Sequence, residues 1–301
     1  MPRRRRRLRG LRTLALSAGL LTTLAACESF DFGKDKPDPS AAPEVGAGTE
    51  SLLGAADAAI AQRRIEDAAI LLGRILKTDP NNSQAKLRVA EMYLLANKLL
   101  LAAAAFKHLS TTTGDVRAKA LQGLGIAMMK QGELDTAHEA LKEAVDTDAS
   151  LWRAWNGLGL YYDSQSLWNE AGESYKQALA AKPELALIHN NLGYSLLMQR
   201  KFVDATSAFR KALRIRPDLE AARANLRLSL AWEGKYQEAT AGVKRGELPT
   251  VLNDVGYIAI LRGDYDQAEA FLLRAMEASP SFNETASKNL GYVKTIRGAK
   301  K

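Results

Sequence analysis

The sequence predicts an all-α fold, a right-handed superhelix of stacked antiparallel helix hairpins. Three observations predict it. Similar residues recur every 34 positions through the body of the chain, which is the mark of a repeat architecture. Hydrophobic residues make up 47% of the 301, Ala and Leu are abundant, and only 9 residues are Pro, a balance that favours helix over sheet. Four of the five prolines of the body sit at the period's ends, at Pro80, Pro183, Pro217 and Pro280, where they stop a helix rather than interrupt one.

The chain opens with Arg3, Arg4, Arg5, Arg6, Arg7, Arg9 and Arg12, followed by an apolar stretch from Leu14 to Ala26. That stretch falls short of the ~20 apolar residues needed to span a bilayer, so it reads as a cleavable secretory signal over 1–26. Arg6-Arg7 lacks the surrounding pattern of twin-arginine export, so the general secretory route is expected. The segment ends Leu24-Ala25-Ala26-Cys27, which resembles the bacterial lipobox. The resemblance implies that Cys27, the single cysteine of the chain, becomes the first mature residue and carries a covalent lipid. Two or more acyl chains give stable anchoring where one does not, at about 0.8 kcal/mol per buried methylene. Glu28 stands where an Asp would signal inner-membrane retention, so the expected location is the outer membrane, lipid-anchored and facing the periplasm. Residues 27–48 hold Pro37, Pro39, Pro43 and five acids, and read as the lipidated Cys and a flexible tether.

The repeats follow in order. Leu52, Ala55, Ala59, Ala68, Leu72 and Pro80 mark the first, at 49–82. The second, 83–117, is degenerate: Leu87, Ala90 and Leu94 fit, but Ala102 and Phe106 come one residue early. Leu121, Leu124, Gly125, Met128, Ala137, Leu141 and Ala144 mark the third, at 118–151. The clearest pair comes next. Trp155, Leu158, Gly159, Tyr162, Ala171, Tyr175, Ala178 and Pro183 are matched 34 residues on by His189, Leu192, Gly193, Leu196, Ala205, Phe209, Ala212 and Pro217. Leu226, Leu230 and Ala239 begin a repeat at 220–248 whose second helix is cut short near Gly246 and Pro249. Val255, Gly256, Ala259, Ala268, Ala275 and Pro280 mark the last, at 249–282. Asn289-Leu290-Gly291-Tyr292 then opens one more first helix, a terminal cap, with a basic tail at 298–301.

These spacings resemble the tetratricopeptide-repeat family over 49–297, with about seven repeats plus the cap. The resemblance implies a solenoid whose hairpins cannot bury their apolar faces alone and must stack. It implies close approach of the two helices at Gly159 and Gly193, and a concave groove lined by first helices. In this frame the residue before each Leu-Gly pair faces the groove, which gives Gly123, Gly157, Asn191, Asn225, Asp254 and Asn289. One residue earlier come Gln122, Asn156, Asn190 and Asn253, and Tyr194, Tyr257 and Tyr292 share those faces. Amides both donate and accept, so Asn156, Asn190, Asn191, Tyr194, Asn225, Asn253, Asp254, Tyr257 and Asn289 form the expected protein-binding surface for an extended peptide backbone. The alternative is that these amides solvate the groove or cap local backbone. Arg153 and Lys119 are isolated candidates for a carboxylate clamp, but Ala221 and Asn225 stand where that clamp needs bases, so recognition of chaperone C-termini is not expected.

Charge and chemistry exclude other classes. The formal net charge of +8 comes from the signal: setting its seven arginines aside from 42 basic residues leaves 35 against 34 acids. A near-neutral body offers little phosphate attraction, so no nucleic-acid partner is expected. His108, His138 and His189 are far apart, the single Cys is assigned to lipid, and the glycines follow the repeat rather than a phosphate loop. The expectation is therefore no catalytic site, no metal, no cofactor beyond the lipid on Cys27, and no small-molecule substrate. The stretches Asn190-Asn191-Leu192-Gly193-Tyr194-Ser195-Leu196, Arg210-Lys211-Ala212-Leu213 and Ala224-Asn225-Leu226 with Ala239 resemble TadD-type lipoproteins of tight-adherence (Flp) pilus systems. That resemblance implies a scaffold aiding secretin assembly or localisation, with protein partners such as the outer-membrane secretin or another pilus component. Assembly factors for type IV pili or outer-membrane protein insertion, and adaptors recruiting a cell-wall hydrolase or protease, fit the same features.

Overall fold

The computed structural model describes residues 48–298. The signal, Cys27, the tether up to residue 47 and the last three residues of the tail lie outside the described residues.

The described residues form fifteen helices and no strand. Seven successive pairs are α1 (Thr49–Ala61) with α2 (Ile65–Thr78), α3 (Ser83–Leu95) with α4 (Leu99–Leu109), α5 (Gly114–Gln131) with α6 (Leu134–Thr147), α7 (Trp152–Ser164) with α8 (Trp168–Ala181), α9 (Ala186–Met198) with α10 (Phe202–Ile215), α11 (Glu220–Trp232) with α12 (Tyr236–Thr240), and α13 (Leu248–Arg262) with α14 (Tyr265–Ala278). The last helix is α15 (Glu284–Gly298). None of these helices is long and apolar enough to cross a membrane.

Each second helix packs on its own partner and on the first helix of the next pair. The first helices also pack on one another in an unbroken series from α1 to α15. First helices therefore form the continuous inner wall of the stack, and second helices form its outer layer. The buried core runs along their junction and is built of small residues opposite large ones. Ala171 and Ala205 are fully buried, and so are Tyr175 and Phe209.

Every turn inside a hairpin has the same construction. One residue takes a left-handed conformation, and two amides close the end of the first helix, as when Gly132 N–H donates to Met129 O and Glu133 N–H to Met128 O. Gly132, Gly234 and Gly263 occupy this place in three turns, at φ between 82° and 85°. Arg63, Asn97, Ser166 and Arg200 occupy it in the other four, at φ between 56° and 61°. A side chain there costs about 1 kcal/mol, and the stacked helices on either side hold it.

Two departures from the period have physical causes. In the degenerate second hairpin α4 has only 11 residues and α5 starts early at Gly114 with 18, so the early Ala102 and Phe106 still reach full burial. In the sixth, α12 has 5 residues where α8, α10 and α14 have 14. The segment after it runs through Gly242 at φ 64° to α13, which takes Pro249 in its first turn.

At Gly159 and Gly193 the glycine makes room for a side chain rather than for backbone. A Cβ on Gly159 would lie 2.5 Å from the Tyr175 ring, and one on Gly193 2.7 Å from Phe209. The close backbone approach expected at Gly159 and Gly193 is thus a socket for the aromatic ring of the second helix.

Candidate partner-binding groove

The inner wall is built by one residue position with a consistent geometry. In α9, α11 and α15 the residue before the Leu-Gly pair, or its counterpart, turns back toward the preceding first helix. Asn191 on α9 donates from Nδ2 to Asn156 Oδ1 on α7 at 2.9 Å. Asn225 on α11 donates to Asn190 Oδ1 on α9 at 3.1 Å, and Asn289 on α15 to Asn253 Oδ1 on α13 at 3.1 Å. Asn190 and Asn191 are joined at 3.4 Å, so Asn156, Asn191, Asn190 and Asn225 form one connected chain across three helices. Arg88 on α3 makes a charged link to α1, with Nε and Nη2 on the two carboxylate oxygens of Asp57 at 2.7 and 2.8 Å.

Asn156, Asn190, Asn191, Asn253 and Asn289 are accordingly buried, and their amides bond to each other instead of standing open toward a ligand. The physical reason is satisfaction: a buried amide left without a partner costs 1–3 kcal/mol or so, and the neighbouring repeat offers a matching one. Tyr194, Asn225, Asp254 and Tyr257 are half-buried and keep surface on the inner wall. Of the expected nine, these four remain accessible in substantial part.

Gly123 and Gly157 hold the same position without a side chain. A Cβ on Gly123 would stand 2.4 Å from the Phe106 ring, and one on Gly157 2.8 Å from Leu141 Cδ1, both on the preceding second helix. Here the seam is closed by apolar contact. Gln122 still contributes one polar link, its Oε1 accepting from Ala154 N–H at 3.2 Å.

Electrostatics divide the wall. Toward the N-terminus, burial pushes the Glu91 carboxyl up and the Arg153 guanidinium down, and each is partly restored by the other's charge. Further along, burial pushes the Asp163 carboxyl up, while hydrogen bonds from Ser195 Oγ at 2.6 Å and Tyr175 Oη at 2.7 Å pull it back. Tyr194 is pushed up by burial and by the nearby Asp163 charge. Asp254 is pushed up by burial, opposed by the Asn253 amide at 3.4 Å.

Several contributors were not singled out from sequence. Asp163 ties Tyr175 of its own hairpin to Ser195 of the next. Arg227 stands where α5, α7, α9, α13 and α15 carry glycine. Its guanidinium pairs with Glu247, just before α13, at 3.4 Å. A charged residue at a glycine position was the available signal for it.

No group of His, Cys, Asp and Glu suited to a metal occurs among the described residues. His138 is stacked on Tyr161 at 4.4 Å and hydrogen-bonded to Tyr162 Oη at 3.1 Å, and burial holds the half-buried His189 below its usual range. A shallow notch of about 390 Å³ lies off the inner wall at the α9–α10 turn, lined by Arg200, Lys201, Phe202, Val203, Asp204 and Glu233. Nothing in it pairs a nucleophile with a base. Cys27, the expected lipidation site, lies outside the described residues.

Comparison with known proteins gives the following. The profile of the tetratricopeptide repeat protein 21 C-terminal ARM domain matches residues 50–227, and a tetratricopeptide repeat profile matches 249–282. The gap between them falls on the shortened hairpin. No curated protein matches the chain significantly. Among solved structures, the C-terminal part of a TPR repeat-containing protein from Cytophaga hutchinsonii is similar at 18% identity and TM-score 0.55, over 79% of this chain and 99% of that one. A thermophilic TPR protein of Thermus thermophilus is similar at 23% identity and TM-score 0.52, over 61% and 99%. The APC/C hetero-tetramer Cut9–Hcn1 is similar at 20% identity and TM-score 0.53, over 81% of this chain, which spans only 55% of that one. These likenesses speak to the fold.

Proposed function

The chain belongs to the tetratricopeptide-repeat family, and from that premise we propose that it is a non-enzymatic, lipid-anchored periplasmic scaffold for assembly of a tight-adherence (Flp) pilus secretion system. Tetratricopeptide proteins act as protein-interaction scaffolds. In this reading Cys27 carries the lipid at the outer membrane, the tether sets the body away from the surface, and the inner wall holds an extended segment of a partner that aids the secretin in assembling or localising.

One observation carries the binding role. Tyr194, Asn225, Asp254 and Tyr257 keep accessible surface on successive first helices, beside amide pairs that join α9 to α11 and α13 to α15. A rigid wall lowers the ordering cost of binding an extended chain. The anchor is supported by the order of the N-terminal segments: a cationic stretch, a short apolar stretch, then Leu24-Ala25-Ala26-Cys27.

A gene deletion complemented with wild type or with Cys27→Ala tests both halves. Wild type should incorporate labelled fatty acid and restore secretin multimers in the outer membrane, and Cys27→Ala should do neither. Fatty-acid labelling of Cys27→Ala would remove the anchor. Unaltered multimers and piliation in the deletion strain would remove the pilus role.

A further inference from the structure

From α9 to α15 the amide links along the inner wall fail at one place. In α9, α11 and α15 the amide before the Leu-Gly pair or its counterpart donates back to an Asn of the preceding first helix. In α13 that position is Asp254, and the residue it would meet on α11 is Ala224. A carboxylate has no proton to donate, and an alanine has no oxygen to accept one. This register is therefore the one such position from α9 to α15 without a bond to the preceding hairpin among the described residues.

What remains is a half-buried acceptor. Asp254 takes a hydrogen bond from Asn253 at 3.4 Å, and no cation pairs with it among the described residues. Both arginines of α11 are committed elsewhere, Arg227 to Glu247 at 3.4 Å and Arg223 to Glu220 at 2.6 Å. Asn253 cannot turn further toward Asp254, because its own oxygen is held by Asn289. One helical turn along α13 stands Tyr257, part of whose ring packs on the apolar core and part of which keeps surface on the inner wall near Asp254. Exposed Ala221 and Ala224 opposite leave room at the wall.

We infer that this register is a subsite for a lysine or arginine side chain carried by an extended partner segment, with Asp254 accepting from the cation and Tyr257 flanking it. The inference rests on the groove-binding reading above and adds the partner's chemistry to it. A cation brings the donors that the missing link lacks, and its charge offsets the cost of a carboxylate withdrawn from water. An aromatic face adjacent to a carboxylate favours a cation over a neutral amide.

The test uses the chain with two defined probes, an extended alanine–serine peptide with a central lysine and the same peptide with glutamine there. Titration calorimetry on wild type should find the lysine peptide tighter by roughly tenfold, the worth of one charge-assisted hydrogen bond. Asp254→Asn should bring the two peptides level without loss of helix content, since Asn occupies this position in α9, α11 and α15. Asp254→Glu should keep a preference for lysine. Equal binding of both peptides by wild type overturns the cation subsite and leaves the groove reading standing. A lysine preference that survives Asp254→Asn also overturns it, because the charge is then read elsewhere. Failure of wild type to bind either peptide overturns the subsite together with the groove reading.

Discussion

The third and fourth hairpins close against their predecessors differently from the fifth and sixth hairpins and the terminal helix. In α5 and α7 the seam position is Gly123 or Gly157, and a Phe106 ring or a Leu141 side chain fills the space. In α9, α11 and α15 the same position is Asn191, Asn225 or Asn289, and a hydrogen bond spans the seam. The packing frame is unchanged between the two regions. What differs is the force at the joint, non-directional in one and directional in the other. An apolar contact fixes distance. An amide pair fixes register as well, and it leaves a polar inner wall in the half that holds Tyr194, Asp254 and Tyr257.

The largest effect that separates the two regions is loss of an aromatic filler. Phe106→Ala should destabilise the chain by about 3–5 kcal/mol in chemical denaturation, because the ring is fully buried and Gly123 cannot close over the cavity. A cost below ~1 kcal/mol would mean the glycine seam is not held by that ring. The amide seam should be weaker and pairwise. Asn191→Ala strands the buried Asn156 oxygen and should cost about 1–3 kcal/mol. Adding Asn156→Ala should cost little more, and a double-mutant cycle should show coupling of ~1 kcal/mol. Simple additivity of the two substitutions would show that the bond does not join the hairpins. The smallest effect should be common to both regions. Ser166→Gly and Arg200→Gly relieve left-handed residues in equivalent turns and should each stabilise by about 0.5–1 kcal/mol. A gain at one turn and a loss at the other would break the equivalence.

The hairpins were legible in the sequence because their packing residues repeat locally. Gly159 with Tyr175, and Gly193 with Phe209, report the same socket one period apart, and each lies within a single hairpin. The short α12 was legible too, since Gly246 and Pro249 leave no length for a full second helix. The positions of the amides could be read, but their bonds could not. Asn191 meets Asn156 across 35 residues, a diagonal set by the tilt of one first helix on the next, and spacing alone makes both look like groove residues. Asp163 was hidden for a related reason. Its partners Tyr175 and Ser195 sit on two hairpins, and an acid near a helix end ordinarily faces solvent. Arg227 departs from the glycine of the repeat, and its partner Glu247 lies beyond the shortened α12, outside the repeat's spacing.

The central claim is that a partner lies along the inner wall formed by the later first helices. It is tested most directly by placing a photoreactive amino acid at Tyr194, at Tyr257 and, as an outer-surface control, at Lys176, whose side chain is 78% exposed on α8. After irradiation in cells, the same discrete partner adduct should form from Tyr194 and Tyr257 and not from Lys176. An adduct from Lys176 with none from the two tyrosines would place the working surface on the outer layer and contradict the account.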